Sequence, residues 1–179
     1  FATWFTYGAD GKPRWFAAEL ARSGAGTYAG SVFTATGPPL YTATFDPAQV
    51  SETVVGSMTV TFSDANTGTF AWTVGGVAQT KPITRQVVAS PVPTCRWGGA
   101  QNLALATNYQ DLWWASPPGS EAGWGINLTH QGDTIFATWF TYDAGGAPRW
   151  LIALASRTVG TVYSGPVWTV TGPAYTSSP

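Results

Sequence analysis

Phe136-Ala137-Thr138-Trp139-Phe140-Thr141-Tyr142 repeats, residue for residue, the stretch Phe1-Ala2-Thr3-Trp4-Phe5-Thr6-Tyr7, at a shift of 136 − 1 = 135 positions. The shift continues without a gap. Pro13-Arg14-Trp15 returns as Pro148-Arg149-Trp150, Arg22 as Arg157, Tyr28 as Tyr163, Gly30 as Gly165 and Thr36-Gly37-Pro38 as Thr171-Gly172-Pro173. Of the 44 positions aligned between 1–44 and 136–179, 21 are identical, which chance does not produce. Self-similarity at a fixed period marks a repeated module. Here the module is about 135 residues long, and function has to be read for that unit.

Within the recurring stretch, Phe1, Thr3, Phe5 and Tyr7 alternate with Ala2, Trp4 and Thr6, which is a strand carrying large side chains on both faces. The Asp10-Gly11 turn and Pro13 then lead into a returning strand from Arg14, and Thr27 to Thr36 form a third. Thr53 to Phe62, Thr69 to Val74 and Val77 to Val88 come next, joined by Ser63–Gly68 and by Gly75-Gly76. Pro82 marks an edge position or a bulge in the last of these. A new series opens at Leu112, continues from Gly123 to Gln131, and turns at Gly132-Asp133 into the recurring stretch.

These short strands predict an all-β, antiparallel up-and-down meander of about eight strands per period. The aromatic residues on both faces predict that it curls into a barrel, with a β-sandwich as the competing layout. Ser90-Pro91-Val92-Pro93 introduces a segment with linker composition, so the expected division is 1–89, a linker at 90–111, and 112–179. On that division each part holds only a portion of a period, and open sheet edges invite further pairing. The alternative is a circularly shifted unit at 1–131.

Composition narrows the function classes. Charged residues are 9% of the chain against roughly 25% in ordinary soluble domains. With a net charge of −1 and no basic run, nucleic acid is not an expected partner. Apolar runs are interrupted by Thr, Gly or Ser, so no membrane span is expected. A chain opening at Phe1 is expected to be a fragment or a processed product, and the low charge with abundant Thr, Gly and Ser points to a secreted or cell-surface protein. Cys95 has no partner in the chain, and an intermolecular disulfide is one use for it.

Leu112-Trp113-Trp114, Glu121-Ala122-Gly123-Trp124-Gly125-Ile126-Asn127, His130-Gln131-Gly132 and Phe140-Thr141-Tyr142 together resemble a repeat domain found, often in tandem, in secreted proteins of proteobacteria. That pattern runs Trp-Trp, Glu-Ser-Gly-Trp-Gly, Asn, His-Gln-Gly and Trp-Phe-Thr-Tyr, and Ala122 departs from it where Ser is expected. The resemblance implies secretion and an accessory role. It implies no reaction.

The candidate ligand-binding residues are Trp113, Trp114, Glu121, Trp124, Trp139 and Arg149. Glu121 in a Pro/Gly-rich turn is either a polar anchor, with the tryptophans as stacking faces, or a turn residue bonded to backbone amides or Arg149. Arg149 precedes Trp150 as Arg14 precedes Trp15, a placement that suits stacking, a turn ion pair, or a sugar or aromatic ring. The aromatic strand itself serves either as a platform or as core. His130 with Ser120 and Asp133 has the residue types of a catalytic triad, but the chain shows neither a nucleophile elbow nor an oxyanion loop. One His without an acidic cluster does not make a metal site, and Asn127-Leu128-Thr129 lies in an expected strand.

No cofactor and no catalytic residue is therefore expected. The expected function is a non-catalytic extracellular repeat module, structural or adhesive, whose partners are copies of itself or neighbouring repeats. The alternative is a module that binds carbohydrate or a small aromatic ligand and is attached to a secreted enzyme.

Overall fold

In a computed structural model of the protein, residues 1–41, 44–92 and 108–177 are described. Cys95 and most of the expected linker fall outside them. The described chain is all-β and antiparallel, and one sheet curls into a half-barrel.

The first sheet contains β1 (Ala2–Tyr7), β2 (Pro13–Ala18), β3 (Ala21–Gly24), β4 (Thr27–Thr36), β5 (Ser51–Phe62), β6 (Thr67–Val74) and β7 (Val77–Thr84). They run in the order β1-β2-β4-β5-β6-β7, with β3 also paired to β4. The second sheet contains β8 (Asp111–Trp113), β9 (Gly125–Gln131), β10 (Thr134–Tyr142), β11 (Pro148–Val159), β12 (Val162–Ser164) and β13 (Val167–Trp168). Its order is β12-β11-β10-β9-β8, with β13 also paired to β11. Each central strand lies beside its chain neighbour, as short turns require. The two sheets share the recurring stretch, because the six residues of β1 are the same as the last six of β10.

Strand parity sorts the aromatic residues. Opposite residues in an antiparallel pair lie on the same face. Trp4 pairs with Phe16 and Phe5 with Trp15. Trp4 and Phe16 therefore turn to one side, where Ala18, Val32, Met58, Trp72 and Val74 are buried and Tyr175 covers them. Phe5 and Trp15 turn to the other side and meet the second sheet, in a cluster with Phe140, Tyr142 and Trp150.

The contact between sheets is reciprocal. Trp15 Nε1 donates to Thr141 O at 2.8 Å, and Trp150 Nε1 donates to Thr6 O at 2.8 Å. Each residue of one bond lies 135 positions from its counterpart in the other, since 15 + 135 = 150 and 6 + 135 = 141. The neighbouring contacts match in the same way. Gly37 N donates to Gly146 O at 3.1 Å, and Gly172 N to Gly11 O at 3.2 Å. Leu40 N donates to Tyr142 O at 3.3 Å, and Tyr175 N to Tyr7 O at 3.0 Å. The rings of Phe5 and Trp150 lie 5.6 Å apart, and those of Phe140 and Trp15 5.3 Å. A contact in which i meets j′ and j meets i′ is the signature of two-fold, isologous association. The two copies of the segment therefore pack through one surface used twice.

Glycine makes that approach close. A Cβ at Gly37 would overlap the Tyr142 ring, and one at Gly172 would overlap the Tyr7 ring. Tyr142 is fully buried, and its hydroxyl donates to Gly123 O at 2.7 Å.

The strand expected to run from Val77 to Val88 ends at Thr84. Gln131, 2% exposed, captures the backbone of residues 86–89 instead. Its Oε1 accepts from Val88 N at 2.6 Å and Ala89 N at 2.9 Å, and its Nε2 donates to Gln86 O at 3.0 Å. A buried amide gains more from three backbone bonds than the segment would gain from one exposed ladder. Pro82 lies in β7, at the end of the sheet path, where its missing N–H does no harm.

Candidate functional site

The site grows from the connection between β8 and β9. Leu112 and Trp113 are held beside β9 by pairing with Asn127 and Ile126. The chain then leaves the sheet through Trp114 to Trp124, turning at Gly119 (φ 83°) and Gly123 (φ 125°), values that exclude most side chains. At Gly123 the space is filled as well, because an added Cβ would lie 2.6 Å from Val50 Cγ2.

This excursion walls a cavity of about 510 Å³ with Trp113, Trp114, Pro118, Glu121 and Ala122 among its lining residues. Trp113 and Trp114 are 48% and 45% exposed, although both are large apolar rings. Trp113 Nε1 is committed to Tyr109 O at 2.9 Å, so what it offers a ligand is its ring. Trp114 is braced edge-on by Phe1 and Phe140, at 6.0 and 5.6 Å between centroids. Both indoles are thus oriented before any ligand arrives.

Glu121 joins this cavity to a smaller one of about 130 Å³, lined by Leu40, Phe45, Trp124, Trp139 and Thr141. Its Oε2 accepts from Trp124 Nε1 at 2.8 Å, which fixes the carboxylate and leaves Oε1 as an acceptor at the junction. Trp124 meets Trp139 edge-on at 6.2 Å, and Trp139 Nε1 is buried without a hydrogen-bond partner. A buried N–H left unpaired costs on the order of 1–3 kcal/mol.

Five of the six expected residues thus come together: Trp113 and Trp114 in the outer cavity, Trp124 and Trp139 in the inner one, and Glu121 in both. Arg149 lies elsewhere. It shares a cavity of about 280 Å³ with Lys12, Asp143 and Thr169. Pairing with Thr141 places it on the Trp139 face but nearer the hairpin turn. Glu121 bonds Trp124 rather than Arg149.

His130 is built into the second sheet. Its Nδ1 accepts from Tyr109 N at 3.0 Å, which leaves Nε2–H to donate to Gly132 O at 2.9 Å. Tyr109 stacks on the ring and the Tyr163 hydroxyl lies 3.0 Å from Nε2. Ser120 is not among its partners, and Asp133 pairs with Arg157 at 3.0 Å. Asn127 Nδ2 donates to Thr3 Oγ1 at 3.0 Å, between the sheets. Tyr109, Tyr163 and Gln131 are not among the expected site residues. Tyr163 recurs from Tyr28 and Gln131 belongs to the His130-Gln131-Gly132 motif, while Tyr109 carries no signal in the sequence.

Among the described residues there is no group of three or more His, Cys, Asp or Glu able to hold a metal ion, and no helix long and apolar enough to cross a membrane. Comparison with family models, curated proteins and solved structures found no match.

Proposed function

We propose that the chain is a non-catalytic extracellular repeat module with a structural or adhesive role, in which successive units clasp one another through a shared two-fold surface. The observation that carries this reading is the reciprocal pair of Trp15–Thr141 and Trp150–Thr6 hydrogen bonds. An interface that uses the same residues on both sides joins copies in closed pairs, so a longer array needs a second surface beside it. Low charge and abundant Thr, Gly and Ser support a secreted or cell-surface setting. Light scattering and negative-stain microscopy over a wide concentration range test it. Association or elongated particles support assembly, and a compact monomer at every concentration counts against it.

A second reading rests on the outer cavity. Two half-exposed indoles, fixed in orientation and facing a carboxylate, suit the apolar face of a sugar ring or a small aromatic ligand, with Glu121 Oε1 accepting a hydroxyl. Titration with simple sugars and aromatic amines while following tryptophan fluorescence decides this. Quenching that disappears in Trp114→Ala supports it, and an unchanged spectrum with every ligand removes it.

A further inference from the structure

The two-fold arrangement of the matched hydrogen bonds does not extend to the strand beside β10. Asn127 reaches from β9 to Thr3 of β1. The counterpart of Thr3 is Thr138, and the donor that would match it belongs to a strand lying beside β1. Among the described residues β1 pairs with β2 alone, whereas β10 has β11 on one side and β9 on the other. Yet Phe1 to Phe5 carry the same letters as Phe136 to Phe140, which pair with β9.

We propose that the outer edge of β1 is an acceptor for the β8–β9 hairpin (residues 108–133) of another copy of the repeat. This rests on the repeat-module reading and names the strand through which a further unit joins. The register is set by β10. Ala137 faces Leu128, Trp139 faces Ile126 and Phe140 faces Gly125. Subtracting 135 places Leu128 of the incoming strand opposite Ala2, Ile126 opposite Trp4 and Gly125 opposite Phe5. Glycine is required at the last position. A Cβ on Gly125 would lie 2.7 Å from Phe140 Cζ, and Phe5 presents the same ring at the β1 edge. Strand addition uses backbone groups for affinity and alternate side chains for selection, and this edge selects a small residue opposite Phe5. The incoming Asn127 would also supply Thr138 with the hydrogen bond that Thr3 already has.

The test uses the whole chain in a Cys95→Ser background and a synthetic peptide of residues 108–133. The peptide carries Leu128→Cys, and the chain carries either Ala2→Cys or Ala137→Cys. Opposed residues in a strand pair bring their Cβ atoms within about 4.5–5.5 Å, close enough for a mixed disulfide to be read by mass spectrometry. The expected result is linkage to Ala2→Cys, lost when the peptide also carries Gly125→Val. Three results overturn the proposal: no linkage, linkage that survives Gly125→Val, or linkage to Ala137→Cys alone, which would mean the peptide displaces the chain's own β9. The two-fold packing is read separately through Trp15 and Trp150, so its failure and this one are distinguishable.

Discussion

Trp15 and Trp150 each donate an indole hydrogen bond of 2.8 Å into the other's copy of the recurring segment, to Thr141 O and Thr6 O respectively. Both indoles are buried, at 4% and 8% exposure, so neither carbonyl has water as an alternative partner. Trp15→Phe and Trp150→Phe should therefore destabilise the chain by similar amounts, about 1–3 kcal/mol each for the unpaired carbonyl plus a small packing loss. Urea unfolding measures both. Equal losses are expected, and a large loss for only one would mean that the two sides do not share the load.

Gly37 and Gly172 are the second matched pair. A methyl group at either would strike a tyrosine ring of the opposite copy, Tyr142 or Tyr7. Gly37→Ala and Gly172→Ala should each cost about 1–3 kcal/mol, the usual range for overpacking. Thermal unfolding of the two variants should show lowered midpoints for both, while Gly76→Ala serves as a comparison in which strain comes from backbone conformation alone, since nothing lies within 4 Å of its added Cβ.

Tyr142 gives the chain an alkaline limit. Burial pushes its hydroxyl well above the ordinary value of 10.0, and the negative charge of Glu52 pushes the same way. The folded state thus keeps the proton after the unfolded chain has released it. The contribution is intact below about pH 10 and is lost as pH rises further, by about 1.4 kcal/mol per pH unit for one group. Unfolding measured between pH 9 and 11 (values about one unit either side of a free tyrosine) should show this fall. Tyr142→Phe should be less stable at neutral pH, having lost the bond to Gly123 O, but should decline less steeply with alkali.

Gln131 is expected to act as a clasp. With its three bonds to residues 86–89 removed, Gln131→Leu should release that segment while β9 and β10 remain paired. Limited trypsin digestion checks it. Cleavage after Arg85 should accelerate in the variant, and an unchanged rate would show that the bonds from Arg85 to Ala65 O hold the segment unaided.

Much of the fold could be read from the sequence because its signals are local. Alternation in Phe1–Tyr7 placed Trp4 and Phe5 on opposite faces, and the register with Phe16 and Trp15 bears this out. The Asp10-Gly11 turn and its counterpart at Gly146 fall where positive φ occurs, at 72° and 78°. What the sequence did not disclose is long-range. Nothing in the letters of Trp15 or Thr141 says that they meet, because that contact arises only after each sheet has presented a face. The same holds for Gln131, whose neighbours in sequence give no hint of residues 86–89. Trp113, Trp114, Glu121, Trp124 and Trp139 could be grouped because they lie on one excursion and the strands beside it. Arg149 could not be separated from them by sequence, since its distance from Glu121 depends on how far along β11 it sits.

Two copies of one segment pack through a single shared surface, and indole N–H exchange by NMR on the intact chain tests this most directly. Trp15 and Trp150 make matching buried bonds across that surface, so their indole protons should exchange together, slowly, and at rates set by global unfolding. Fast exchange at both positions, or fast exchange at one and slow exchange at the other, would contradict it.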